Sequence, residues 1–168
     1  LSVAKVGGDT PEGRMIYTNF LDEDGGVHAD LTISRLGADS YRIVTGGADG
    51  NRDWVTMRNY RDDTGLDADI NIRTHDISTL GLWGPEAKNA LGHFIDPSEI
   101  SIDNFPFVTA KYLTLNLSGG KKIDVWAARI SYVGESGWEL YLNNDSEDGL
   151  ALYDSLLEVG VVPVGIET

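Results

Sequence analysis

The apolar positions of this chain change period several times, and each change marks an element. Met15 to Phe20 reads as a strand running into the turn Asp22-Glu23-Asp24-Gly25-Gly26. Val27 to Leu36 alternates imperfectly but is rich in β-formers, so it reads as the return strand of a hairpin. Ser40 to Thr45 follows the short turn Gly37-Ala38-Asp39 and completes a meander. After Gly46-Gly47-Ala48-Asp49-Gly50 the period lengthens: Trp54, Met57 and Tyr60 lie three apart, as one face of a helix over Asn51 to Arg61 requires. That stripe reads as a core face rather than a cofactor-binding one.

A second block opens near Asp67 with alternating Ala68, Ile70 and Ile72, followed by Ile77 to Trp83, both strand-like. Gly84-Pro85 then predicts a helix through Ala90-Leu91. Pro85 would stand at the first helical position, where its missing N–H costs nothing, and Glu86 would favour the positive end of the dipole. Lys111 to Leu117 and Ile123 to Ser131 form a further hairpin about Ser118-Gly119-Gly120-Lys121. Asp145 is placed to cap a last helix that buries Leu152, Leu156 and Val159. The pattern is α+β, antiparallel β-sheets with flanking helices. Residues 1–66 hold the meander and a helix, residues 67–168 hold a second sheet block with two helices, and no linker-like segment separates them.

Composition narrows the function classes. With 168 residues, 41% of them hydrophobic, and no apolar run long enough to span a bilayer, the chain can bury a proper core. It has no cysteine, which excludes disulfides, thiolate metal sites and cysteine nucleophiles. A formal net charge of −14 argues against nucleic acid and anionic membrane as partners, since both reward clustered Lys and Arg. The acidity suits either a solubilising surface or adaptation to high salt. No targeting segment is visible, although the first residue is Leu and the natural N-terminus could lie upstream. His28, His75 and His93 are scattered without carboxylates at ligand spacing, so no metal site is expected. Walker, Gly-x-Gly-x-x-Gly and Gly-x-Ser-x-Gly motifs do not occur.

Two features carry candidate chemistry. The run Ile130-Ser131-Tyr132-Val133-Gly134-Glu135-Ser136-Gly137-Trp138-Glu139-Leu140-Tyr141 joins two strands through a turn with glycines three apart, and sets a phenol and two carboxylates beside it. It is either a plain hairpin plugged by Trp138 or a grip for a polar heterocycle. Asp30 interrupts an otherwise β-favouring run. It belongs either on the solvent face, the ordinary place for a carboxylate, or in a cleft where it would position a proton or a cationic centre.

Three blocks in order resemble the glycine-cleavage T-protein, or aminomethyltransferase, superfamily of tetrahydrofolate-binding domains. They are Ile16-Tyr17-Thr18 with Asp24-Gly25-Gly26, Ala29-Asp30-Leu31-Thr32 and Arg35-Leu36; then Gly81-Leu82-Trp83-Gly84-Pro85-Glu86-Ala87; then the hairpin run. The form of the hairpin, with Thr45-Gly46-Gly47, is closer to the sarcosine and dimethylglycine dehydrogenase or oxidase branch.

The resemblance implies the aminomethyltransferase folate-binding fold and tetrahydrofolate as co-substrate. Asp30 matches the family's central catalytic carboxylate, beside the reactive folate nitrogen. Tyr17 and Thr32 match residues lining the folate cleft, and Tyr132 and Glu139 match the hairpin pair, with Glu139 expected on the pterin's amino-pyrimidine edge. Glu135 is then a turn residue. The implied reaction is capture of a methylene group from a methylamine-type donor, with FAD involved only if a separate upstream domain exists. Gly46 stands where the glycine-cleavage branch often has Asn. A segment before Tyr17, an Arg-containing motif after Gly165 and the C-terminal β-domain of the family are absent from the sequence, so the chain is expected to be a fragment. Self-association through exposed sheet edges or docking of a carrier protein are the expected macromolecular contacts. The expected location is cytoplasmic, or the mitochondrial matrix in a eukaryote. A non-catalytic folate-binding scaffold, or an inactive fragment, is the rival reading.

Overall fold

A computed structural model of the chain describes residues 2–132, 134–144 and 146–165. The chain divides into two compact units, residues 1–75 and 76–168. The first is a three-stranded antiparallel meander of β1 (Met15–Leu21), β2 (Val27–Arg35) and β3 (Tyr41–Thr45), followed by helix α1 (Gly50–Thr64). Asp22 shapes the β1–β2 turn: its Oδ1 accepts from the backbone N–H groups of Asp24 at 3.0 Å and Gly26 at 2.7 Å, and Gly25 takes the left-handed conformation that the turn needs. Arg35 ties the N-terminal segment to the β2–β3 turn, donating to the carbonyls of Gly8, Thr10, Gly37 and Ala38. Phe20, Ala29, Leu31 and Ile33 form the apolar core of this unit, with Val6, Ile43 and Met57 packed on it.

α1 departs from the stripe expected of it. Met57 does meet the core, but Trp54 is only half-buried and Tyr60 is exposed. The fully buried position is Asp53. Its carboxylate is kept inside by the Thr45 hydroxyl, which donates to Oδ2, and by Arg52, which donates to Oδ1 at 3.1 Å. His28 stands 3.8 Å from the same oxygen. A buried carboxylate persists only with such partners. The helix ends at Gly65, whose left-handed φ lets Leu66 N–H bond back to Arg61.

The strand expected over Ala68, Ile70 and Ile72 does not form; residues 66–73 have no regular structure. The carbonyls that a neighbouring strand would use are taken by side chains of α1. Trp54 Nε1 donates to the Ile70 carbonyl at 3.1 Å, and Arg61 donates to that of Ala68. The segment is therefore laid along the helix.

The second unit is an antiparallel sheet in the order β4-β7-β6-β5, made of β4 (Ile77–Trp83), β5 (Thr109–Asn116), β6 (Lys122–Arg129) and β7 (Gly137–Asn143). Helices α2 (Ala87–Leu91) and α3 (Asp148–Glu158) complete it. α2 starts two residues after Pro85, not at it. Gly84 N–H is still bonded to the Ser136 carbonyl, and the chain must turn, with Ala87 N–H returning to Gly84, before the helix begins. α3 buries Leu152 and Leu156 as its pattern requires, and Val159 packs at its end; Asp145, the expected cap, lies outside the described residues. One sheet face is the core: Leu82, Leu113, Leu115, Val125, Ala127, Trp138, Leu140 and Leu142 are all buried against the helices and Phe105. Each fully buried large apolar side chain contributes about 1.5–3 kcal/mol. Arg129 closes one end, donating to the carbonyls of Ile100 and Phe105 and lying 5.0 Å from the Trp138 ring.

Candidate functional site

In the first unit, register decides which side chains share a face. Tyr17 pairs with Thr32 and Asn19 with Asp30, so Tyr17, Asp30 and Thr32 project from the sheet face opposite the apolar core. Asp30 is exposed, Thr32 is partly buried, and Tyr17 is 63% exposed. The Tyr17 hydroxyl donates to Asp30 Oδ2 at 3.0 Å across the diagonal of the pair. The sheet thus holds a carboxylate on a rigid strand, oriented by a phenol, with solvent access to its remaining lone pairs.

In the second unit, Glu139 occupies the face of β7 opposite Trp138. Its cross-strand neighbours are Gly81 on β4 and Ala128 on β6, the two smallest kinds of side chain, and the space over Gly81 is taken by the Trp83 ring. Tyr141, two residues along the strand, donates its hydroxyl to Glu139 Oε2 at 2.5 Å. Tyr141 is itself set edge-on against Trp126, with centroids 5.0 Å apart. Tyr132, in the loop before β7, is 87% exposed and stands perpendicular to the Trp83 ring, with centroids 6.1 Å apart and an interplanar angle of 82°. Trp83 Nε1 donates to the Ile130 carbonyl at 3.2 Å in the same loop. The Trp83 ring lies over the sheet so closely that a Cβ added at Gly81 or at Gly137 would stand 2.1 Å from it.

Of the residues picked from sequence, Tyr17, Asp30 and Thr32 form one group. Tyr132 and Glu139 form another, joined through Trp83. Glu135 lies in the loop with its Oε2 buried and without a hydrogen-bond partner among the described residues. Among the described residues no group of three or more His, Asp or Glu could hold a metal ion, and no helix is long and apolar enough to cross a membrane.

The model of one protein family, the GCVT N-terminal domain, matches residues 3–168. The chain belongs to this family. Human mitochondrial dimethylglycine dehydrogenase is 33% identical to this GCVT domain over 143 residues, covering 85% of the chain and 16% of the dehydrogenase. The aminomethyltransferase of Herpetosiphon aurantiacus is 28% identical over 157 residues, covering 94% of the chain and 40% of that protein. The chain thus spans well under half the length of these relatives. The crystal structure of glycine cleavage system aminomethyltransferase T from Bartonella henselae superimposes with a TM-score of 0.67 at 20% identity, over 89% of this chain and 37% of that one. The α+β architecture is therefore that of the aminomethyltransferase fold.

Two parts of the GCVT domain's geometry were not assigned from sequence. Tyr141, the partner of Glu139, had a signal: a Tyr two residues after an acid on one strand shares its face. Trp83 had one too, in the glycine two residues before it on its own strand face. Gly137, the cross-strand partner of Trp83, appears only with the register.

Proposed function

We propose that this GCVT domain binds tetrahydrofolate and serves a one-carbon transferase, either of the aminomethyltransferase kind or as the folate part of an enzyme that demethylates sarcosine or dimethylglycine. The observation that best supports the reading is Glu139: a carboxylate fixed by Tyr141 and flanked by Gly81 and Ala128, with the Trp83 ring lying over Gly81. Adjacent N–H donors on an amino-pyrimidine edge match the two oxygens of a carboxylate. Tyr132 would flank the edge of the ring, and Thr32 and Tyr17 are the folate contacts proposed for the first unit.

Tetrahydrofolate supplies the nucleophile, so the protein's work is positioning and proton handling. Two folate nitrogens each form a bond to the incoming methylene carbon, the bonds from that carbon to its amine donor break, and the two N–H protons leave. Asp30, oriented by Tyr17, is the group proposed to hold the reactive N–H and receive its proton. The donor carbon enters already at the methylene level, either as an aminomethyl group on a carrier protein or as an iminium made from a methylamine-type compound by a separate domain whose FAD would take the two electrons. In a eukaryote, the mitochondrial dehydrogenase relative favours the matrix as the site of action.

Asp30→Asn tests the assignment in the full-length protein. The amide keeps the shape and loses the proton acceptor, so 5,10-methylenetetrahydrofolate formation should fall at least a hundredfold, the order that general base catalysis contributes. The tetrahydrofolate Kd should change less than about threefold. Equal losses in rate and affinity would contradict the role, and so would full activity.

A further inference from the structure

We infer that Trp83 is the stacking platform for the ligand's flat heterocycle, and that Gly81 and Gly137 are glycine so that the platform can lie down. The inference rests on the folate reading above and adds a residue to it. Three observations carry it.

Trp83 is the terminal residue of β4, and its indole folds back along the sheet surface instead of standing out from it. The six-membered ring covers Gly81 and the five-membered ring covers Gly137, each so near that any side chain would collide with it. Neither glycine has a positive φ, so the backbone there does not call for glycine. What requires it is the ring. The indole N–H is satisfied by the Ile130 carbonyl, which holds the ring plane against rotation.

The ring nevertheless remains 43% exposed. Held on one side by the sheet, a large aromatic presents its other side outward. Ordinary core packing does not leave that arrangement, and a surface Trp without a role would not be matched by two glycines.

The exposed surface also has boundaries. Tyr132 stands at 82° to it, making a corner of two rings. Gly81 is the cross-strand partner of Glu139, so the six-membered ring of Trp83 lies beside the carboxylate. Floor, wall and hydrogen-bond acceptor together suit a flat heterocycle with a donor edge, stacked on Trp83 with that edge toward Glu139.

Trp83→Ala and Gly81→Ala, the second of which leaves the indole intact but lifts it, test this in the full-length protein. The probes are tetrahydrofolate and 6-methyltetrahydropterin, which has the ring without the tail. Removing one ring stack weakens binding by about tenfold. Trp83→Ala should therefore raise the Kd of both probes about tenfold, Gly81→Ala should raise both in the same direction, and Trp83→Phe should have a smaller effect. Ligand-dependent quenching of tryptophan fluorescence should vanish in Trp83→Phe and survive in Trp54→Phe. Unchanged affinity in Trp83→Ala and Gly81→Ala, while the wild type binds, would overturn the platform and leave the folate reading standing. A loss for tetrahydrofolate but not for the pterin would also overturn it, since the contact would then be to the tail. If the wild type binds neither probe, the folate reading falls and the platform with it.

Discussion

Asp30 and Glu139 are both strand carboxylates opposite an apolar face, and both are oriented by a tyrosine hydroxyl. Each is held by a neighbour one strand or two residues away, so the geometry belongs to the sheet and not to a loop. The types and face of these residues were legible in sequence, because period-2 alternation separates Asp30 from Ala29 and Leu31, and Glu139 from Trp138 and Leu140. Their tyrosine partners were less so. Tyr17 meets Asp30 only through the register of two strands. A different carboxylate, Asp96, makes a prediction about stability. Hydrogen bonds from the Ser98 backbone N–H, and then from its hydroxyl, hold the Asp96 carboxyl below the ordinary carboxylate range. Its folded value is depressed, so its contribution is present above the unfolded value and is lost as pH falls through the folded one. Asp96→Ala should lower the urea midpoint near neutral pH and leave it unchanged well into the acid range. An equal effect at both would show that the contribution is not that of the charged carboxylate.

At the scale of elements, all seven strands among the described residues have counterparts in the sequence pattern, because each is bounded by turn residues and fed by apolar positions of the right period. Three expectations failed, the start of α2 among them because Gly84 N–H is held by the Ser136 carbonyl. The strand expected over 68–72 lost its carbonyls to Trp54 and Arg61 of a helix. The α1 stripe gave way to a buried Asp53 because Thr45 at the end of β3 and the adjacent Arg52 satisfy its carboxylate. In the second unit a comparable long-range tie is Arg129, which joins β6 to residues 100–105 through two carbonyls and covers Trp138. Burial lowers its pKa, and a guanidinium keeps its charge in proteins. Arg129→Met keeps the stem and removes the donors, so it should cost about 2 kcal/mol, read as a lower urea midpoint with faster amide exchange over residues 100–105. A midpoint within error of the wild type would mean that water replaces the guanidinium at no cost.

At the scale of the molecule, a chain of net charge −14 is proposed to bind an anionic cofactor. The overall field opposes this, so recognition has to come from local groups: a donor edge for Glu139, ring surface at Trp83 and Tyr132, and a proton acceptor at Asp30. The account therefore requires the pterin end, not the carboxylate tail, to supply most of the affinity of this domain. Raising the ionic strength should strengthen or leave unchanged the binding, since screening weakens a repulsion here. The most direct test of the central claim is calorimetric titration of tetrahydrofolate into the full-length protein, with the Glu139→Gln variant alongside. The account predicts saturable binding near one ligand per chain, weakened about tenfold or more in the variant by loss of a charged hydrogen-bond acceptor. No saturable heat at millimolar ligand, or equal affinity in Glu139→Gln, would contradict it.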